Sequence, residues 1–163
     1  MATTTPRYFE DFTVGLSFRS PAAIALSAER IKSFASEFDP QPSHVDEAAA
    51  RAGLFGGLVA SGWHTAAVAM RLVVDSDLGL SGRGAGVEIE SMKWLRPVRP
   101  SDSLRLEGNV METRPSRSRP DRGVVKFRTL VYNQNDELVL DAVHVITVQR
   151  RTSAPLSPIN AAR

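Results

Sequence analysis

Two short stretches carry the residue types that move protons. The first is Asp39-Pro40-Gln41-Pro42-Ser43-His44, which sets a carboxylate and an imidazole five residues apart on a loop stiffened by two prolines. The second is Ala60-Ser61-Gly62-Trp63-His64, which offers a glycine amide where a long apolar segment begins. An acid, a base and a backbone donor are the minimum for moving a proton beside a carbonyl. A residue before proline is pushed out of the α region, so Asp39 to Ser43 is expected to be an extended, rigid connector.

The flanking sequence supplies elements to hold these groups. Ile31, Phe34, Ala35 and Phe38 fall on one apolar stripe, predicting a helix over Ala28 to Phe38 with Ser27 as its N-cap and Pro40 as its stop. A short helix is expected from His44 to about Arg51, with Ser43 and Asp46 at capping-box spacing. Glycines 53, 56 and 57 mark a loop. A third helix runs from Ser61 to about Asp75; it is apolar on nearly every side, which predicts a buried helix. Gly62 would be its first residue, with an N–H that has no intrahelical acceptor and sits at the positive end of the helix dipole.

After Gly82 the pattern changes to strands: Val87 to Leu95, Ser103 to Thr113, Gly123 to Tyr132 and Glu137 to Gln149. The polar run Asn133-Gln134-Asn135-Asp136 predicts a hairpin between the last two. With a strand or two ahead of the helices, the outline is α+β: an antiparallel sheet with one face free to wrap the apolar helix. One domain over 7–151 followed by a loose tail over 152–163 is expected.

Composition narrows the function classes. The chain has 163 residues, no cysteine and three histidines, His44, His64 and His144. Disulfides and thiolate metal sites are excluded, and no two histidines have the spacing of metal ligands, so no metal and no cofactor is expected. A net charge of +2 does not argue for nucleic acid. The arginine cluster from Arg114 to Arg122 has no interleaved aromatic for base stacking and reads as a solvated loop. His64 and His144 lie in apolar surroundings and read as packed, satisfied residues. No secretory segment precedes the first helix and no apolar run approaches a membrane span, so a cytoplasmic protein without a membrane partner is expected.

Four segments together resemble the MaoC-like dehydratases, a family of hot-dog fold that includes the (R)-specific enoyl-CoA hydratases. Tyr8 to Gly15 is similar to the family's opening, and Phe34 to His44 to its D-x-N-P-[hydrophobic]-H motif. Leu58 to His64 is similar to the start of its central helix, and Trp94 to Asp102 to its F-x-x-P-V-x-P-G-D strand and turn. The chain departs from these patterns at Gln41, Ser43, Ser61, Trp94 and Ser101.

The resemblance implies a hot-dog sheet around the helix from Ser61 to Asp75, and a homodimer or higher homo-oligomer. It implies reversible hydration of a trans-2-enoyl-CoA, or dehydration of a 3-hydroxyacyl-CoA, with the coenzyme A thioester as substrate. Asp39 and His44 match its catalytic pair, and Gly62 the glycine whose amide receives the thioester oxygen. Ser61, Trp63, Phe55 and Met70 are the candidates for substrate contact. Two alternatives stay open at this point: a hot-dog acyl-CoA thioesterase and a non-catalytic acyl-CoA binding module.

Overall fold

An apolar stripe behind a capping hydroxyl makes the first helix. The computed structural model describes residues 7–80 and 82–151, and in it helix α1 spans Ala28–Phe38. Ser27 Oγ accepts the Arg30 N–H at 3.3 Å, and Ile31 and Ala35 are its buried residues. The helix ends at Asp39, whose φ of −156° and ψ of 69° lie outside the helical region, directly before Pro40.

The connector beyond it is not extended throughout. Pro42 occupies the first position of a one-turn helix, α2 (Pro42–Val45), where a missing N–H removes no helical bond. Asp46 then leaves the helical region and becomes the N-cap of α3 (Glu47–Ala52). Its Oδ1 accepts from the Ala48 and Ala49 N–H groups at 2.8 and 3.1 Å. The single helix expected over 44–51 is therefore two helices, because the Asp46 carboxylate is used to cap the second rather than to close a box with Ser43.

Helix α4 (Gly62–Asp75) follows, with Ser61 as N-cap. The strands are β1 (Ser17–Arg19), β2 (Ile24–Ala25), β3 (Gly84–Trp94), β4 (Ser103–Pro115), β5 (Arg122–Tyr132) and β6 (Leu138–Gln149). They form an antiparallel sheet in the order β1-β4-β5-β6-β3, with β2 also paired to β4. The β5–β6 hairpin turns where expected: Asn133 Oδ1 accepts the Asn135 and Glu137 N–H groups at 3.0 and 3.1 Å, and Asp136 takes a φ of 60°.

Alternation along the strands puts Leu104, Leu106, Val110, Val125, Phe127, Val131, Leu140 and Val148 in the core with Val68, Ala69, Leu72 and Val73 of α4. Each such Leu or Val contributes about 1.5–3 kcal/mol when fully buried. The sheet thus wraps the apolar helix in the hot-dog arrangement.

The helix is not buried all round. Trp63, Met70 and Val74 on its far side are 62%, 45% and 57% exposed. The sheet curls over one face only, and a pattern that is apolar everywhere does not reveal which face it covers. Beside it, β3 pairs with β6 alone among the described residues, and its Val87 and Ile89 are exposed. No helix among the described residues is long and apolar enough to cross a membrane. The tail expected over 152–163 lies outside the described residues.

Candidate active site

The end of α1, the single turn of α2 and the start of α4 meet at one cavity of about 650 Å³. Asp39 enters it as the C-cap of α1, and His44 as the third residue of α2. Asp39 Oδ2 and His44 Nε2 are 3.6 Å apart. His44 is buried, and its Nδ1 lies 2.9 Å from the Val59 carbonyl. A carbonyl only accepts, so Nδ1 carries the hydrogen and Nε2 is the nitrogen left to face Asp39 and the cavity.

Asp39 is held from both sides. Its Oδ2 accepts the Ser61 hydroxyl at 2.6 Å, and its Oδ1 the Gln41 amide at 2.7 Å. The Ser61 bond above all, then the Gln41 bond and the charge of His44, keep the Asp39 carboxyl below its ordinary range despite the opposing effect of burial. At neutral pH it is an anion that can accept a proton.

Gly62 lines the same cavity. Its N–H is at the first position of α4, and no acceptor among the described residues takes it. Glycine allows a close approach here: a Cβ would stand 3.0 Å from Trp94 Cε2 and Nε1 and would push the indole aside by a few tenths of an ångström. The Trp94 indole N–H donates to the Gly62 carbonyl at 2.8 Å, and its ring meets Trp63 edge-on at 5.7 Å. The arrangement offers a carboxylate, an imidazole nitrogen and an open main-chain donor around one cavity, which apolar rings also line.

Of the residues expected to touch substrate, Phe55 and Trp63 line the cavity, whereas Ser61 and Met70 do not. Ser61 is fully buried, because its hydroxyl serves Asp39 and also accepts the Trp63 N–H at 3.2 Å. Met70 lies on the exposed side of α4, two turns beyond the site. Three partners were not visible in residue types: the Val59 carbonyl, the Gln41 amide and the Trp94 indole. The first is a backbone group with no sequence signal; the other two stood out only as departures from a motif.

The remaining candidates play other parts. His64 is buried and stacks on Phe34 at 4.6 Å. It is packed but not satisfied, since its Nδ1 has no hydrogen-bond partner among the described residues. Burial, and then the charge of Arg30, push its pKa down. His144 stacks on Phe127, pairs with the Thr129 hydroxyl at 3.0 Å and is likewise pushed down by burial. In the arginine cluster, Arg119 and Arg122 pair with Asp121, and Arg114 with Glu112; Arg114 belongs to β4 and Arg122 to β5, so the exposed loop is shorter than expected, 116–121. Arg96 lines the cavity and pairs with Glu137, and Arg99 donates to the Phe55 carbonyl at 2.8 Å, fastening the glycine-rich loop.

Comparison with known proteins identifies the family of the chain. The sequence model of the MaoC like domain matches residues 11–145. The protein YdeM of Bacillus subtilis is 32% identical over 141 residues, covering 86% of this chain and 98% of that protein. The crystal structure of a MaoC-like dehydratase from Rhodospirillum rubrum is 46% identical with a TM-score of 0.83, covering 90% of this chain and 99% of that one. A mesaconyl-CoA hydratase of Cereibacter sphaeroides is 39% identical over 66 residues, which are 40% of this chain and 19% of that protein.

Proposed function

The chain belongs to the MaoC-like domain family, and on that premise we propose that it adds water reversibly across the double bond of a trans-2-enoyl-CoA, or removes it from a 3-hydroxyacyl-CoA. The observation that carries this reading is the 3.6 Å separation of Asp39 Oδ2 and His44 Nε2 at a cavity that also holds the open Gly62 N–H. One water oxygen about 2.8 Å from each group is within ordinary hydrogen-bond reach of both. The partial likeness to a mesaconyl-CoA hydratase supports a coenzyme A thioester as the substrate.

In the hydration direction, Asp39 and His44 hold the water. Asp39 takes a proton from it as the oxygen bonds to C3, the C2–C3 double bond becomes an enolate, and the negative charge reaches the thioester oxygen. That oxygen lies against the Gly62 N–H and the positive end of α4. The pair then returns the proton to C2, so one water is consumed and no oxidant or reductant is needed. General acid–base help is worth about 10²–10⁴-fold and an oxyanion donor about 10²–10³-fold.

The working unit in this reading is a homodimer. It is supported by the exposed apolar side chains of α4 and β3, which a second copy would cover.

The experiment is a panel of enoyl-CoA thioesters, followed by loss of the conjugated ultraviolet absorbance, for wild type, Asp39→Asn and His44→Ala. Turnover by the wild type that falls at least about 10²-fold in each variant is expected. Equal turnover in all three, or release of free thiol with the double bond intact, overturns the reading.

A further inference from the structure

Gln41 bonds to both members of the proton-transfer pair. Its N–H donates to the Asp39 carbonyl at 2.7 Å, its carbonyl accepts the His44 N–H at 2.9 Å, and its side-chain amide donates to Asp39 Oδ1 at 2.7 Å. The last contact is not incidental to helix capping. An N-cap side chain ordinarily accepts an N–H from the first helical turn. Gln41 is the N-cap of α2 and makes no such bond. Because an ionised carboxylate only accepts, the amide must present its NH₂ group to Asp39.

We infer that Gln41 is a positioning residue, whose side-chain amide fixes the rotation of the Asp39 carboxylate so that Oδ2 is the oxygen facing the Ser61 hydroxyl and His44 Nε2. A carboxylate with one donor on each oxygen cannot turn about its Cβ–Cγ bond without breaking both. Ser61 alone would leave Oδ1 open to water and the group free to swing within the cavity. Gln41 is itself exposed and lines the cavity, so the restraint comes from this contact and not from packing. Its flanking prolines, Pro40 and Pro42, limit the backbone on either side and keep the amide within reach. The chain carries Gln here where the motif it resembles carries Asn. An Asn amide would end about 1.5 Å nearer its own backbone, so the longer Gln side chain is what spans the 2.7 Å contact seen here. The same amide is the second of the two donors, after Ser61, that hold the Asp39 carboxyl below its ordinary range.

The kinetic consequence rests on the hydratase reading; the titration consequence does not. The test compares wild type with Gln41→Met, which keeps length and removes the donor. Two quantities are read: the midpoint of the ¹³C titration of the Asp39 side-chain carboxyl, assigned with Asp39→Asn, and the pH profile of hydration. In Gln41→Met the Asp39 midpoint moves up, and the acid limb of kcat/KM moves with it. The plateau kcat falls on the order of tenfold, as for loss of one hydrogen bond to a charged group, with KM and the thermal midpoint little changed. An Asp39 midpoint identical in both proteins overturns the inference, as does lost activity accompanied only by a lowered thermal midpoint. If the wild type hydrates no enoyl thioester, the hydratase reading fails on that result and the titration alone decides the role of Gln41.

Discussion

The Ser61 hydroxyl donates to Asp39 Oδ2 at 2.6 Å across 22 positions of sequence. Its oxygen also accepts the Trp63 N–H at 3.2 Å. One side chain therefore closes the first turn of α4, which presents Gly62, and holds the carboxylate that faces His44. The donor and the base are fixed relative to each other by the same atom.

That double duty can be split. Ser61→Ala removes both bonds; it should lower stability by about 0.5–2 kcal/mol as a lost N-cap does. It should also lower kcat/KM on the order of tenfold, through the loss of one charge-assisted hydrogen bond. Ser61→Gly removes the same hydroxyl but is tolerated at an N-cap at a cost of only a few tenths of a kcal/mol. Denaturant unfolding and enoyl-CoA turnover, measured on both, should show similar kinetic losses and unequal stabilities. If activity follows stability across the pair, the Asp39 contact has no role in turnover.

Acid stability follows from the carboxylates. Asp39 is held low by Ser61 and Gln41, Asp141 by Arg128, and Asp121 is lowered to about 2 by Arg122 and Arg119. Each titrates lower in the folded chain than in the unfolded one. Each therefore adds stability that is complete above the unfolded value near 3.8 and is lost as pH falls through the folded value. Urea unfolding should give a stability that declines as pH falls below about 3.8, the ordinary value from which Asp39 and Asp141 are lowered. Asp39→Asn should decline less steeply over the same window. Asp121→Asn should change it little, since that group is exposed and its ion pairs are screened. A slope unaltered in Asp39→Asn would mean that the Ser61 and Gln41 bonds do not favour the anion.

Much of this arrangement was legible in residue order, for physical reasons that differ from place to place. The stripe of Ile31, Phe34, Ala35 and Phe38 behind Ser27 set α1 to its last residue, because Pro40 permits no continuation. Asp39, His44 and Gly62 reach one cavity because each stands at the end of an element, where the chain turns toward the same place. The break between α2 and α3 was hidden: Asp46 fits either a capping box or an N-cap, and only its backbone decides. The exposed side of α4 was hidden too, since Trp63, Met70 and Val74 are as apolar as the residues packed under the sheet. The bond from the Ser61 hydroxyl to Asp39 was hidden, because a contact across 22 positions has no local signature.

One departure from the family pattern carries a backbone cost. Ser101, where the resembling motif carries Gly, sits at a φ of 74°, in the left-handed region that favours glycine. A side chain there costs about 1–2 kcal/mol, and glycine gives back about 0.4–1 kcal/mol through the freedom of the unfolded chain. Ser101→Gly should therefore stabilise the protein by roughly 0.5 kcal/mol and raise its thermal midpoint without altering turnover. A lowered midpoint would show that the Ser101 side chain makes up for its backbone.

The exposed face of α4 and β3 yields the last prediction. Trp63, Met70 and Val74 on the helix and Val87 and Ile89 on the strand leave large apolar side chains in water. β3 also has an unpaired edge among the described residues, an arrangement that invites pairing with another chain. A homodimer that covers this face should sediment at twice the 17.7 kDa chain mass. Lysine at Ile89 or Met70 would have to enter the interface as an unpaired charge, so Ile89→Lys and Met70→Lys should sediment as monomers or dissociate at far higher concentrations. Val14, just as exposed but beside β4 near the opposite edge of the sheet, supplies the control. Val14→Lys should remain a dimer. Because Trp63 belongs both to this face and to the cavity wall, the monomeric variants should also lose enoyl-CoA turnover even though Asp39, His44 and Gly62 are untouched. Dimers that survive both lysines, or monomers with full activity, would separate this face from the function of the site.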